Sequence, residues 1–169
     1  MIGYKELFDA LGAGDFDTAR VLSARLGGRP EIEKECDHPF TLALGYLLKS
    51  FVDDDGENVK RHWIEEFRQQ QGRNWGGYTQ MFEAILNDDP EQAQAAFPDI
   101  IAGHKRESKG QGMDMFTGSV DQFLSVWGIG LANLARSYGL PVEIDDPLIP
   151  ADLLIDLPAT PFFGAPSQS

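Results

Sequence analysis

One stretch of this chain occurs twice. Residues 3–22 and 77–96 align without a gap at an offset of 74, so that Gly3, Tyr4, Phe8, Ala10, Asp15 and Ala19 return as Gly77, Tyr78, Phe82, Ala84, Asp89 and Ala93. Leu7, Asp9, Leu11 and Asp17 have conservative counterparts in Met81, Glu83, Ile85 and Glu91. These are the positions a helical hairpin uses: small Ala where two helices approach, an aromatic anchor, and an Asp that caps the second helix. A weaker echo places Phe40, Gly45 and Leu48 against Phe123, Gly128 and Leu131 at an offset of 83, so the second copy carries nine extra residues, assigned to the Gly-rich stretch after Arg106. Any two helical hairpins share some of this pattern, but a gap-free match that includes the cap points to duplication. The expected fold is all-α, with repeated halves at 3–51 and 77–138 stacked as a compact bundle or short α-solenoid, because such units bury their apolar faces only against each other.

The apolar spacing between the repeats gives the rest of the elements. Tyr4, Leu7, Phe8 and Leu11 make one face of a helix over 4–13, and Asp15 can cap a second that carries Ala19, Leu22 and Leu26. An acidic connector leads to Pro39, a first-turn residue for the nearly all-apolar run 40–51. Val59, Trp63 and Phe67 form the expected inner stripe of a fourth, surface helix. Tyr78, Met81, Phe82 and Ile85 mark the next, and Pro90 opens a further helix toward Arg106 that Pro98 should bend. Residues 108–112 read as a mobile loop. The longest helix is expected over 118–138, with Val120, Phe123, Leu124, Trp127, Leu131, Leu134 and Ala135 inward and Gly139 and Pro141 as its stop. A short helix near 151–156 closes a single domain at 1–157, followed by an extended, Pro-rich tail at 158–169.

Hydrophobic residues supply 42% of the 169 positions, enough for one self-sufficient core. Fourteen Lys and Arg against 27 Asp and Glu leave a formal charge of -13. That field repels nucleic acid and anionic membranes and speeds encounter with a basic protein, besides keeping the chain soluble. Neither nucleic acid nor membrane is therefore expected as a partner. Cys36 is the single cysteine, which excludes an internal disulfide, and no basic leader or long apolar run stands at the N-terminus, so a cytoplasmic location is expected.

No phosphate loop, zinc-helix motif or nucleophile elbow is present, and His38, His62 and His104 are dispersed, so no cofactor, metal or catalytic residue is assigned. His104 with Glu107 or Glu83 remains an acid and base pair on paper, and His62 beside Trp63 is a similar case. Cys36 lies among Glu33, Glu35 and Asp37, which disfavours a thiolate. Asp53-Asp54-Asp55-Gly56-Glu57 lacks the alternating ligands of a calcium loop and reads as a helix end, where carboxylates oppose the dipole. A cluster placed at such a cost invites a role in holding a cation-rich partner. Asp53, Asp54, Asp55 and Glu57, together with Asp145 and Asp146, are the expected partner contacts, and Trp75 a candidate exposed anchor.

The segment from Gly139 to Leu154 follows a helix and contains a G-x-P-V-E stretch, Gly139-Leu140-Pro141-Val142-Glu143, then a P-x-x-L-L element, Pro150-Ala151-Asp152-Leu153-Leu154. It resembles the C-terminal signature of immunity protein family 49 of bacterial polymorphic toxin systems. The N-terminal A-L-x-x-G-D hairpin, Ala10 to Asp15, is similar to that family as well. The resemblance implies a protein that binds a cognate toxin and covers its active site, through an interface of roughly 1,600 Å². A helical adaptor or secretion chaperone that holds a peptide between repeats is the alternative reading.

Overall fold

The computed structural model describes residues 3–164. Among these residues the regular structure is helical throughout: α1 (Tyr4–Gly12), α2 (Phe16–Arg25), α3 (Pro30–Cys36), α4 (Pro39–Val52), α5 (Glu57–Gln70), α6 (Gly76–Asn87), α7 (Pro90–Glu107) and α8 (Val126–Ser137), with short 3-10 helices η1 (Val120–Gln122) and η2 (Ala151–Leu153). They pack as a bundle around one continuous apolar core.

The repeated hairpins, α1–α2 and α6–α7, agree down to single hydrogen bonds. Asp15 accepts from Thr18 N at 2.9 Å and Asp89 from Gln92 N at 2.9 Å. Ahead of each cap the chain turns through a left-handed residue, Gly14 (φ 69°) and its counterpart Asp88 (φ 53°). The next amide then reaches back five residues, Asp15 N to Ala10 O and Asp89 N to Ala84 O, both at 2.9 Å. This double-bonded helix end satisfies carbonyls that the last turn leaves open. Ala19 and Ala93 are fully enclosed, as close helix approach requires.

The hairpins differ in what covers them. α6 packs chiefly on its own partner α7, whereas α1 packs chiefly on α8, far along the chain. Phe8 stacks on Trp127 at 4.8 Å, and Tyr4 meets the same indole edge-on at 5.6 Å. Asn133 of α8 donates to Leu11 O (3.0 Å) and Gly12 O (3.2 Å), closing the C-terminal end of α1 from outside.

Several expectations need correction. The acidic connector is a helix: α3 begins at Pro30 with Glu31 and Glu33 in its first turn and Lys34 in its last, all favourable to the dipole, although it has no apolar stripe to announce it. Tyr46 of α4 ties it down by donating to Glu33 and accepting from Gly28 N at 2.9 Å. Burial and the Glu33 carboxylate push that phenol up to about 12.

On α5 the buried stripe is Lys60, Ile64 and Phe67; Val59 faces solvent and Trp63 lies at the edge, stacked on Tyr46 at 4.6 Å. The rotation follows from Lys60, whose ammonium lies over the rings of Phe51 and Tyr138, 5.2 and 5.0 Å from their centres, and reaches Asp54 at 2.7 Å. α7 runs unbroken through Pro98, which stands on the exposed side, and is the longest helix at 18 residues.

The helix expected over 118–138 is cut in two. Ser119 caps η1 by accepting from Asp121 N (3.2 Å), and Ser125 caps α8 by accepting from Gly128 N (3.3 Å), while Ser125 N donates to Leu148 O (2.8 Å). Side-chain oxygens that bond the local backbone compete with helix continuation. In consequence Val120 and Phe123 point outward, and the echo of Phe40 in Phe123 fails, although Leu48 and Leu131 are both buried. The loop 108–112 folds back on Glu107: Gly110 N bonds Glu107 O, and Gln111 O accepts from Asn74.

Residues 158–164 hold no helix, yet they lie on the core. Phe162 N and Phe163 N both donate to Ser137 O, Phe163 is buried, and Arg20 lies over both rings. The remainder of the expected tail, 165–169, lies outside the described residues.

Candidate partner-binding surface

Several of the polar residues enclosed in the bundle tie its segments together. Glu107 is buried at the end of α7 and accepts from Asn74 Nδ2 (2.7 Å), Met113 N (3.2 Å) and Met115 N (3.3 Å). Arg106 Nε reaches Asn74 Oδ1 at 2.5 Å, so this group organises the loop after α7. His104, 2% exposed, stacks on Phe116 at 4.6 Å and makes no pair with Glu107. Neither ring nitrogen makes a well-formed hydrogen bond, and burial, opposed in part by the backbone and carboxylate of Asp121, holds the imidazole below its ordinary pKa. The acid and base pair imagined from sequence is thus not assembled. Among the described residues no three His, Cys, Asp or Glu side chains gather as a metal site, and no helix is long and apolar enough to cross a membrane.

Trp75 is not an exposed anchor. It is 2% exposed and forms the hub of an aromatic cluster, with ring centres 5.0 Å from Phe40, 5.0 Å from Tyr78 and 5.7 Å from Trp127. Glycines on its C-terminal side let the backbone close in: a Cβ on Gly77 would lie 2.6 Å from Ile100 N. The start of α6 is therefore pressed against α7.

The acidic turn between α4 and α5 is at the surface, but its charges are largely answered from within. Asp53 pairs with Lys49 at 2.6 Å and Glu57 with Arg61 at 2.7 Å. Asp54, in the left-handed region at φ 53°, meets Lys60 Nζ (2.7 Å), Gly164 N (3.1 Å) and Tyr138 Oη (3.3 Å). Burial raises its pKa, but Lys60 and these donors outweigh it and hold the carboxyl below its ordinary value. Asp55, by contrast, is raised, first by burial and then by Asp53.

Asp145 and Asp146 stand in the segment after α8, where Asp146 accepts from Leu148 N at 2.9 Å and Asp145 from Ala151 N at 3.4 Å. This segment wraps over α7 and α8. Gln94 clasps the backbone of Glu143 through two hydrogen bonds, and Arg136 donates to Val142 O and Ile155 O. Residues 140–164 include no Lys or Arg, while Glu143, Asp145, Asp152 and Asp156 are exposed.

A second acidic region, with apolar residues in it, was missed at the sequence level. Val120 (82% exposed) and Phe123 (73%) project from η1 and the residue after it, next to Asp121. On neighbouring α1, the exposed Asp9 carboxyl is held above its ordinary pKa by partial burial, then by Asp121 and Glu6, with Lys5 opposing. The caps at Ser119 and Ser125 were the available signal. Comparison with known protein families, curated proteins and solved structures returns no match.

Proposed function

We propose that this chain is an immunity protein, which binds a cognate toxin and neutralises it by occluding a basic active-site cleft. The observation that supports this reading is the belt over 140–164, an exterior strip with exposed carboxylates and no basic residue of its own. A strip whose own charged side chains are all of one sign helps to steer and orient a partner of the other. The same belt carries the G-x-P-V-E and P-x-x-L-L stretches on which the resemblance to immunity protein family 49 rests. A toxin that acts on nucleic acids or nucleotides would present the matching positive cleft, and the encounter would take place in the cytoplasm.

The test is co-expression with the product of the adjacent gene, read as growth rescue and as co-purification of the two proteins. Rescue with a stable complex is the expected result. Growth arrest that this chain fails to relieve, with no complex formed, would remove the proposal.

A further inference from the structure

Val120 and Phe123 are the two most exposed large apolar side chains among the described residues, at 82% and 73%. They stand three positions apart at a 3-10 turn, a spacing that places side chains on one side. Their outward posture is fixed by the backbone: Ser119 caps η1, which begins at Val120, Ser125 caps α8 just after Phe123, and Ser125 N is bonded to Leu148 O. Gly12, at the end of α1, lies against Val126, so the exposed pair adjoins α1. There Asp9 lies in the field of Asp121 and of Glu6, with Lys5 as the basic residue that opposes them. On the other side of the α1 end, Leu153, a further exposed apolar residue, shares the amide of Asn133 with Leu11 and Gly12.

Apolar side chains fixed in water beside like-charged carboxylates suit an occupant with two properties, an apolar hollow and surrounding positive charge. A second copy of this chain lacks the second property, since it brings the same carboxylates and the same net charge of -13. We propose that Val120 and Phe123, with Asp121 between them and Asp9 on neighbouring α1, are the docking point for a cationic protein surface whose Lys or Arg side chains surround an apolar hollow. This rests on the binding-protein reading above and adds an exposed aromatic anchor to it.

The full chain is titrated with two labelled probe peptides, an amphipathic helix of Lys and Leu and the same helix with every Leu replaced by Ser. The Lys–Leu probe should bind, and Phe123→Ser should weaken it by about tenfold or more, as loss of a central aromatic anchor does. The Lys–Ser probe should bind more weakly and ignore Phe123→Ser. Because the side chain is exposed, the variant should keep the parent melting temperature. Asp9→Asn with Asp121→Asn should reduce the salt dependence of Lys–Leu binding, whereas Asp53→Asn should leave it unchanged. Equal binding of the two probes, or Phe123→Ser binding like the parent, would overturn the proposal, as would a parent dimer that Phe123→Ser disperses. In the growth assay, rescue that survives Phe123→Ser removes this surface and leaves the neutralising function standing. Failed rescue by the parent chain, with the probes still discriminating, does the reverse.

Discussion

The turn between α4 and α5 and the exposed side of α1 beside η1 are both rich in carboxylates, and the structure treats them in opposite ways. At the turn, Lys49, Lys60 and Arg61 each find an acid, and Asp54 also gathers the Gly164 amide and the Tyr138 hydroxyl. On α1, Asp9 has Glu6 and Asp121 within its field and Lys5 as counterweight. One carboxyl is held below its ordinary pKa and the other above it. A run of acidic letters is therefore a poor guide to free charge: the conspicuous triplet is largely answered inside the fold, and the scattered acids beside η1 are answered less fully.

The sharpest test of that contrast is Lys60→Ala. It removes a buried stem and leaves Asp54 without its ammonium, and should cost about 2–3 kcal/mol in urea unfolding, a value reduced for the partial exposure of the carboxylate. Lys60→Met, which keeps most of the stem, should cost less, and the difference measures packing against charge. Asp54→Asn keeps a residue that tolerates the left-handed backbone and should cost about 1 kcal/mol at neutral pH. Because the folded state holds this carboxyl low, its contribution is complete above the ordinary aspartate value near 4 and fades as pH falls through the lowered one. Parent and Asp54→Asn stabilities should converge in strong acid.

Asp9→Asn is the smallest effect and has the opposite sign. A raised carboxyl costs stability at neutral pH, and the cost is relieved as pH falls through the raised value toward 4. The variant should gain a few tenths of a kcal/mol at pH 7, after allowance for solvent screening, and nothing near pH 3. Loss of stability in Asp9→Asn, or Asp54→Asn as stable as the parent at neutral pH, would break the comparison.

What could be read from the sequence was what local chemistry decides. The hairpin repeat survives in the caps at Asp15 and Asp89, in the enclosed Ala19 and Ala93, and in the left-handed position that Gly fills in one copy and Asp in the other. What could not be read depends on distant packing. Trp75 sits among glycines and reads as a loop residue, but Phe40, Phe116 and Trp127 arrive from three other segments to enclose it. Phe123 keeps a helical spacing to Trp127, yet Ser125, the cap of α8, diverts the chain between them. α3 carries good terminal charges and no apolar stripe, because what holds it is a tyrosine from the next helix. The acidic triplet was found, but the lysine that answers Asp54 comes from α5 and a second partner from residue 164.

The marriage of α1 to α8 has a consequence for how the molecule is made. A nascent chain that has released α1 must still elongate from Gly12 to Ser137 before the helix with the largest claim on α1 exists. At ordinary elongation rates that interval is on the order of ten seconds. Throughout it α1 can lean on α2 and α4, but Tyr4 and Phe8 wait for Trp127, so α1 is sealed only once α8 has been made.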